Sequence, residues 1–496
     1  MFHVTKFFEE YKFLLYCDIV KLKKILMEYL NWIEIKRERK TTMEKNKVMD
    51  LTMGDPAKQI FCFALPIFLG SVFQQMYNLV DTVIVGHTLG ENALAAIGAT
   101  TPLFGLIVGM AIGINNGFAI VIARYFGAKE MDNMRQAVAM TVILDLIISI
   151  VFTAIGVGTI MYILKFLNTP AEIINDAYGY IVIILMFMTI TIMYNMIAGV
   201  LRALGDSRSP LIYLMYASIL NVVLVFTFIL VFKWGIRGSA YATVISQIVA
   251  VILGFNHIIK KCPELKLSKG DFKYDGPMVM ELFTSGLSMG FMLSLVSIGS
   301  VALQGAINSF GKEIITAHMA ARKVSEIYMM PLGTLATASA TFVSQNYGAK
   351  KYERINIGLK KTVIMGAIWS TIVVITAFAF GPYIIKFLTG TNDTLIIDTA
   401  VKYLRINTPF YYVLAILLIY RSTLQGIGRK FTPLVSSSIE LLGKFAVVGF
   451  LAPTMGYLGV CISEPLIWIT CAIFVLIVFY SDKNFRSEIK QYKSVI

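Results

Sequence analysis

The stretch Phe126-Gly127-Ala128-Lys129 returns later in the chain as Tyr347-Gly348-Ala349-Lys350. This return indicates that the chain contains an internal duplication. Two further pairs repeat at the same offset of about 220 residues. They are Leu201-Arg202-Ala203-Leu204-Gly205 with Leu424-Gln425-Gly426-Ile427-Gly428, and Gly235 and Gly238 with Gly456 and Gly459. A duplicated apolar domain is typical of a carrier whose substrate site lies between two repeats, near the middle of the bilayer.

Composition places both copies in a membrane. The 496 residues are 57% hydrophobic and 15% charged, and the mean hydropathy is +0.72. A soluble chain is closer to about half apolar and about a quarter charged. Apolar runs longer than about 18 residues recur along the sequence, and each can cross a bilayer as a helix. We therefore predict an all-α membrane protein with many transmembrane helices.

Twelve spans are predicted, six in each copy, so that the copies form parallel repeats about an axis along the membrane normal. The spans cover residues 60–86, 93–125, 136–163, 172–203, 209–232, 239–259, 278–308, 314–346, 358–387, 395–426, 432–453 and 459–481. The predicted domains are an N-terminal extension (1–50), an N-terminal lobe (51–259), a linker (260–276), a C-terminal lobe (277–482) and a tail (483–496).

Basic residues in the connectors predict the orientation. Connectors 2–3, 4–5, 6–7, 8–9 and 10–11 hold most of the loop Lys and Arg, and such an excess stays in the cytoplasm. Both termini are therefore expected to be cytoplasmic. Because the net charge of +14 sits in short loops, no nucleic-acid partner is expected. The first 50 residues lack a signal-peptide cleavage site and suggest either an amphipathic surface helix or a start at Met43 or Met49.

Ionisable side chains within spans are functional candidates, because each costs at least about 2.5 kcal/mol in the bilayer centre. Asp81 is the foremost, since Gln74, Gln75, Asn78 and Thr82 make its end of span 1 polar, as in the wall of a cavity. A carboxylate held there can take up a proton or Na⁺ on one side and release it on the other. The alternative is a structural carboxylate satisfied by neighbouring polar groups.

Other charges fall in spans 3, 8, 11 and 12. Glu440 and Lys444 are spaced i, i+4, which suits a helical ion pair, and Glu464 on the next span is expected to approach them. The group is either a second titratable or cation-binding site, or a neutral packing strut. Arg322 and Glu326 are predicted to form a structural pair. Asp145 has no obvious partner and is expected near a helix end.

Span 2 carries Gly105, Gly109, Gly113 and Gly117 at four-residue spacing. Such small residues let another helix approach closely, and they also suit a hinge or sliding face. Enzyme chemistry has no counterpart in the sequence: there is no Walker A motif, no Gly-x-Ser-x-Gly and no metal-ligand spacing among the four His or five Cys. The chain is predicted to be neither an enzyme nor a cofactor protein.

Four segments of the chain resemble those of a known protein family. They are Gln74-Gln75-Met76-Tyr77-Asn78-Leu79-Val80-Asp81-Thr82-Val83-Ile84-Val85-Gly86, Tyr125-Phe126-Gly127-Ala128-Lys129, Leu201-Arg202-Ala203-Leu204-Gly205-Asp206 and Gln345-Asn346-Tyr347-Gly348-Ala349-Lys350. Over about residues 50–482 the chain resembles the MATE (multidrug and toxic compound extrusion) family of cation-coupled efflux transporters, of prokaryotic type. The resemblance implies a V-shaped, twelve-helix transporter with alternating access, which exports organic, cationic, lipophilic compounds in exchange for H⁺ or Na⁺.

The same resemblance assigns residues. Asp81 matches the aspartate of the first helix that couples to the cation, and Asn221 and Thr243 match its partners. A family acid four residues after Asn221 reads Val225 here, which favours H⁺ or a different site over a full Na⁺ site. Span 7 lacks the Glu of some members. In the second copy Lys444 and Glu464 stand at the positions of Asn221 and Thr243.

The sequence also gives predictions for substrate recognition, ligands, oligomeric state and cellular location. Glu440, Lys444 and Glu464 are expected to recognise cation or substrate, and Gln75 and Asn78 to line the cavity. No metal is expected beyond Na⁺ at Asp81, and no cofactor. The protein is expected to be a monomer in a bacterial cytoplasmic membrane. The alternatives are an exporter of a lipid-linked sugar or another amphiphile of the same superfamily, and a membrane scaffold without transport.

Overall fold

The computed structural model describes residues 49–167 and 169–482, and the described residues form helices and no strand. The predictions for residues before 49 and for the tail 483–496 lie outside this part of the chain. The helices are α1 (Pro56–Leu89), α2 (Glu91–Gly127), α3 (Met131–Phe166), α4 (Ile174–Met186), α5 (Met188–Ala203), α6 (Arg208–Val231), α7 (Ile236–Lys261), α8 (Gly276–Phe310), α9 (Lys312–Gly348), α10 (Tyr352–Thr389), α11 (Thr394–Gly426), α12 (Phe431–Met455) and α13 (Tyr457–Ser481).

Every predicted span coincides with one of these helices, or with a bent pair, to within a few residues. Among the described residues ten helices are long and apolar enough to cross a membrane, and α4 with α5, which meet at 51°, can make an eleventh span. The remaining predicted span is α9, a 37-residue helix that is less apolar because it carries Arg322, Lys323 and Glu326. The bend within span 4 was not predicted from the sequence; the helix is interrupted at Phe187, with φ −101° and ψ 21°.

The duplication is visible in the backbone itself. Lys129 and Lys350 both adopt a left-handed conformation, with φ 61° and 57°. Residues other than glycine rarely adopt positive φ, so the shared Gly-Ala-Lys motif encodes the same helix end twice. Short π-helical turns also recur at equivalent places, Thr227–Val231 and Val447–Leu451. The two copies are therefore repeats in structure as well as in sequence.

The first helix of each copy begins in the same way. The Asp55 carboxylate accepts a hydrogen bond from the Lys58 amide at 2.8 Å, and that of Asp275 accepts one from the Met278 amide at 3.0 Å. A proline follows each Asp within the first helical residues. An acidic N-cap satisfies amides that have no partner within the helix, and proline at the start costs no hydrogen bond.

Glycines bring α2 and α8 into backbone contact at one end of the bundle. A Cβ added to Gly117 would lie 2.5 Å from the Ser285 carbonyl oxygen, and one added to Gly113 would lie 2.6 Å from the Met289 carbonyl oxygen. By contrast, nothing lies within 4 Å of such an atom at Gly105 or Gly109. The predicted close packing is therefore confirmed for Gly113 and Gly117, and the two helices separate towards Gly105.

Buried polar side chains form hydrogen bonds between the two copies at the same end of the bundle. Ser344 Oγ donates to the Ile120 carbonyl at 2.5 Å, Gln345 Nε2 to the Ala203 carbonyl at 2.7 Å, and Asn346 Nδ2 to the Leu51 carbonyl at 3.1 Å; all three side chains are fully buried. Arg124 forms an ion pair with Glu281 nearby. These bonds join residues of the second copy to residues of the first, so the copies are sealed together where α2 and α9 end.

Asp206, in the turn between α5 and α6, provides a pH-dependent contribution to stability. Its Oδ1 accepts hydrogen bonds from the Arg208 and Ser209 amides, both at 3.0 Å. Burial opposes ionisation, but hydrogen bonds from His257 and Ser209 outweigh it and hold the pKa of the Asp206 carboxyl below its usual value.

We expect Asp206→Ala to lower the free energy of unfolding by about 1 kcal/mol, the usual value of such a cap. Because the folded-state pKa is lowered, this stabilisation is complete above pH about 4 and is lost as the pH falls through the folded-state pKa. Thermal unfolding of the purified protein against pH measures it. An equal difference between wild type and variant at all pH values would contradict this assignment.

Candidate functional site

Asp81 is held by a hydrogen bond across the N-terminal copy. It lies about 37 Å along α1 from Pro56, at 1.5 Å per residue. Ser239, near the start of α7, donates its hydroxyl to Asp81 Oδ1 at 2.9 Å, with Oδ2 at 3.1 Å. Asp81 is 8% exposed and Ser239 fully buried. The positive φ of Gly235 begins α7 abruptly and places Ser239 one turn into it.

A second set of polar side chains lies one turn away along the same helices. Thr243 follows Ser239 by four residues on α7, and Tyr77 precedes Asp81 by four on α1. The Tyr77 hydroxyl lies 3.1 Å from Thr243 Oγ1, and Asn221 Nδ2 donates to the same oxygen at 3.3 Å. Asn221 Oδ1 is buried without a partner. We call Tyr77, Asp81, Asn221, Ser239 and Thr243 the Asp81 cluster.

The Asp81 cluster contains the three coupling residues expected from the sequence and two that were missed. Asn221 and Tyr77 both form hydrogen bonds with Thr243. In the described structure neither Asn221 nor Thr243 bonds directly to Asp81, whose hydrogen-bond partner is Ser239. The i, i+4 spacing of Tyr77 with Asp81, and of Ser239 with Thr243, was the sequence signal that could have identified both. All functional atoms of the cluster are carboxylate, hydroxyl or amide groups, which suit a proton or a hard cation such as Na⁺.

Only one charge is present in the Asp81 cluster. Val225, one turn beyond Asn221 on α6, is fully buried and packs in an apolar core with Ile84, Val85 and Phe228. Among the described residues, no Lys, Arg or His forms an ion pair with Asp81. The same residues contain no group of three or more His, Cys, Asp or Glu able to hold a metal ion. Within the described part of the chain, the carboxylate of Asp81 therefore lacks a fixed counter-ion.

Three charged side chains of the C-terminal copy lie together. Lys444 Nζ lies 3.1 Å from Glu440 Oε1 and donates to Ser300 Oγ at 3.2 Å, and Arg421 approaches Glu440 Oε2 at 3.8 Å. The predicted Glu440–Lys444 pair is confirmed. With two basic side chains around one carboxylate, this group has an excess positive charge, and Lys444 is only 2% exposed.

Two pairing predictions were wrong. Glu464 does not join Glu440 and Lys444 within the described structure; it pairs with Arg322, whose Nη1 lies 3.3 Å from Glu464 Oε1. Arg322 therefore turns from its own helix towards α13. Glu326 instead pairs with Lys323 at 3.2 Å. The spacing rule failed because it considers only partners on the same helix, whereas Arg322 reaches Glu464 on α13, which is 4% exposed.

Gln75 and Asn78 lie outside the Asp81 cluster. Both side chains are exposed on α1, on either side of Tyr77 in the sequence. Neither makes a side-chain hydrogen bond to another helix of the described structure. Their predicted place in a cavity wall remains a prediction.

If Asp81 binds a cation, as the sequence predicts, the Asp81–Ser239 hydrogen bond should affect how tightly that cation is bound. We expect Ser239→Ala to shift the half-saturating cation concentration by about tenfold, because a hydrogen bond to a charged group contributes about 1.5 kcal/mol or more. For H⁺ the concentration should fall, since the ionised carboxylate loses its donor; for Na⁺ it should rise if the hydroxyl is a ligand. Ion titration of vesicle uptake measures this. Ser246→Ala is the matched control, because that hydroxyl bonds to the Thr243 carbonyl; an identical shift there would refute the assignment.

A duplicated bundle of transmembrane helices, with buried carboxylates inside it, is typical of membrane transporters. The MatE family model matches the chain twice, over residues 66–227 and 288–450. The chain therefore belongs to the MATE family and is a transporter rather than an enzyme. The two matched segments correspond to the two copies described above.

Similar proteins agree with this assignment. A probable multidrug resistance protein, YpnP of Bacillus subtilis, is 26% identical over 433 residues, which cover 86% of this chain and 96% of YpnP. The multidrug export protein MepA of Staphylococcus saprophyticus is 20% identical over 430 residues, 85% of this chain and 93% of MepA. Among solved structures, a MATE in the bent conformation superimposes with a TM-score of 0.83 at 23% identity, over 90% of this chain and 99% of that one.

Proposed function

We propose that this protein is an efflux antiporter that exports organic, cationic amphiphilic compounds in exchange for H⁺ or Na⁺. The observation that carries the proposal is Asp81, a buried carboxylate with hydroxyl neighbours and no basic partner among the described residues. Such a group is neutralised by whichever cation reaches it. When the cation binds one conformation of the transporter more tightly than another, its binding shifts the equilibrium between them, and that shift couples ion entry to another step of a transport cycle.

The names of the relatives support drug export. YpnP is described as a probable multidrug resistance protein and MepA as a multidrug export protein. We extend that role to this chain because it matches nearly the whole length of both proteins. H⁺ is the better candidate for the coupling ion, since Val225 leaves the Asp81 cluster with a single carboxylate. Asn221 and Thr243 would then orient the cluster or accept the ion.

The second copy is assigned a role in recognition. We propose that Glu440, Lys444 and Glu464 contact cation or substrate when the ion pairs of the C-terminal copy rearrange, and that Gln75 and Asn78 line the path. The proposal also includes two six-helix lobes joined by residues 260–276, alternating access between them, a monomeric state, and cytoplasmic termini in a bacterial cytoplasmic membrane. The seal where α2 and α9 end would then be the cytoplasmic seal.

Uptake by inside-out vesicles tests the proposal. Vesicles carrying the wild-type protein are given ethidium, a fluorescent lipophilic cation, under either a pH gradient or a Na⁺ gradient. We expect uptake above empty vesicles under one gradient only, which identifies the coupling ion. Absence of uptake under both gradients would contradict export of organic cations.

One observation favours a second candidate, export of a lipid-linked sugar or another anionic amphiphile. Arg421 and Lys444 outnumber Glu440, and all three side chains are largely buried. Excess buried positive charge would suit a phosphate-bearing headgroup. The discriminating outcome is movement of a fluorescent anionic lipid in vesicles that fail to accumulate ethidium. A scaffold without transport would move neither.

A further inference from the structure

Asp145 is a second buried carboxylate, in a different part of the N-terminal copy. It lies about 20 Å along α3 from Met131, at 1.5 Å per residue, so it is near the middle of the helix. The prediction that it lies near a helix end was wrong. Its side chain is directed at α2, whereas Asp81 contacts α7. Only 2% of Asp145 is exposed.

Asn115 on α2 is the one hydrogen-bond partner of Asp145 in the described structure. Its Nδ2 donates to Asp145 Oδ1 at 3.3 Å and to the Ala111 carbonyl at 3.2 Å. Three buried oxygen atoms nearby have no partner: Asp145 Oδ2, Asn115 Oδ1 and Thr141 Oγ1, the last of these one turn before Asp145. Unpaired buried polar atoms are rare and costly, so three on two facing helices require a cause.

Among the residues that the structure describes, no counter-ion neutralises Asp145. Helices α2, α4, α5 and α8, and the segment 263–272, pack against α3. Their titratable or charged groups, with those of α3, are Glu91, Arg124, Tyr125, Asp176, Tyr178, Tyr180, Tyr194, Arg202, Glu264, Lys266, Lys269, Asp271, Glu281, Asp132, Arg135, Tyr162 and Lys165. None of them forms a hydrogen bond or ion pair with Asp145 within the described residues. Arg202, for example, donates to Asn116 Oδ1 at 3.2 Å.

A proton would remove the uncompensated charge of Asp145. An ionised carboxylate with a single amide donor in a low-dielectric interior keeps an uncompensated charge, which costs several kcal/mol. A proton removes that charge and turns the carboxyl group into a donor. The Asn115 amide, whose Nδ2 lies 3.3 Å from Asp145 Oδ1, can present its oxygen there after a flip and accept that hydrogen bond.

We propose that Asp145 is a second proton-binding site of this transporter, distinct from the Asp81 cluster, in which Asn115 is the hydrogen-bond partner of the carboxyl group. The proton enters as H⁺ and leaves as H⁺, so no other reactant is needed. The role of this site in transport rests on the proposed ion-coupled function, but the binding of the proton does not. Asp145 lies beside α2, the helix that seals against α8, so its charge state can bias that contact.

Infrared difference spectroscopy of the purified full chain, between alkaline and acidic buffer, tests the proposal directly. A buried protonated carboxyl gives a carbonyl band separate from those of ionised and solvated carboxyls. We expect Asp145→Asn to lose one such band that Asp81→Asn retains. Asp132→Asn is the control, because that carboxylate is exposed at the start of α3, and its spectrum should match wild type in this region. An unchanged spectrum in Asp145→Asn would overturn the proposal.

Asn115→Leu provides the second variant should Asp145→Asn fail to fold. It keeps the carboxyl but removes its amide partner, so the Asp145 band should shift in frequency; a band that does not move would also overturn the proposal. Vesicle uptake separates the two claims. If ethidium uptake depends on Asp81 while no band depends on Asp145, this inference alone fails. If the band is present while neither gradient drives uptake, the proposed function fails and the proton site stands.

Discussion

Asp81→Asn is expected to reduce gradient-driven ethidium uptake by at least about tenfold, to the level of empty vesicles, because the only charge of the Asp81 cluster is removed. The amide can still accept the Ser239 hydroxyl, so the helices α1 and α7 should remain packed. What is lost is the ability to bind and release a cation. Binding of ethidium without a gradient should be reduced far less than transport.

The control for this prediction is Asp132→Asn, which removes an exposed carboxylate paired with Arg135. Its uptake should equal that of wild type at equal expression. Uptake by Asp81→Asn at the wild-type rate, under the same gradient, would show that the cation is bound elsewhere and that the Asp81 cluster is structural.

Gly117→Val is expected to open the seal between the copies. Even the Cβ atom would lie 2.5 Å from the Ser285 carbonyl oxygen, which belongs to the backbone of α8 and cannot rotate away. Overpacking of this kind typically costs about 1–3 kcal/mol. That cost destabilises the conformation in which α2 packs against α8, relative to one in which the two helices are apart at this end. Transport should fall with it, since a cycle needs both conformations.

Spin labels measure the opening. Labels placed at Asn133 and Glu353, both exposed at the sealed end, report the distance between the two copies in a cysteine-free background. We expect a longer distance in Gly117→Val than in wild type. Gly109→Val, on the same face of α2 but with nothing within 4 Å of an added Cβ, should leave the distance unchanged. Equal distances in all three proteins would show that the glycine contact does not hold the seal.

The architecture could be predicted because its signals are local. Apolar length identified each span, and the repeat of Gly127-Ala128-Lys129 as Gly348-Ala349-Lys350 identified the duplication, which the backbone then reproduces in the left-handed Lys129 and Lys350. Asn221 and Thr243 were reached through resemblance rather than through physics. Composition carried no information about which helices face each other.

The misses share a physical cause. Ser239 and Tyr77 join the site through contacts made only after α1, α6 and α7 pack. Arg322 bonds to Glu464, 142 residues away, instead of a neighbour on its own helix. Helical spacing correctly predicted the Glu440–Lys444 pair within one helix, but it carries no information about partners on another helix. In a buried site the choice of partner depends on which charges are taken out of water together, and that depends on the tertiary structure.

Movement of the cation itself tests cation exchange through Asp81 most directly. Purified protein in proteoliposomes is given an outward gradient of ethidium and no ion gradient, and entry of H⁺ or Na⁺ is followed with an ion-sensitive dye. We predict that ethidium efflux drives one of these ions inward through wild type, and that Asp81→Asn shows no ion movement. Efflux of ethidium with no ion entering, or equal ion entry in Asp81→Asn, would contradict cation exchange through Asp81.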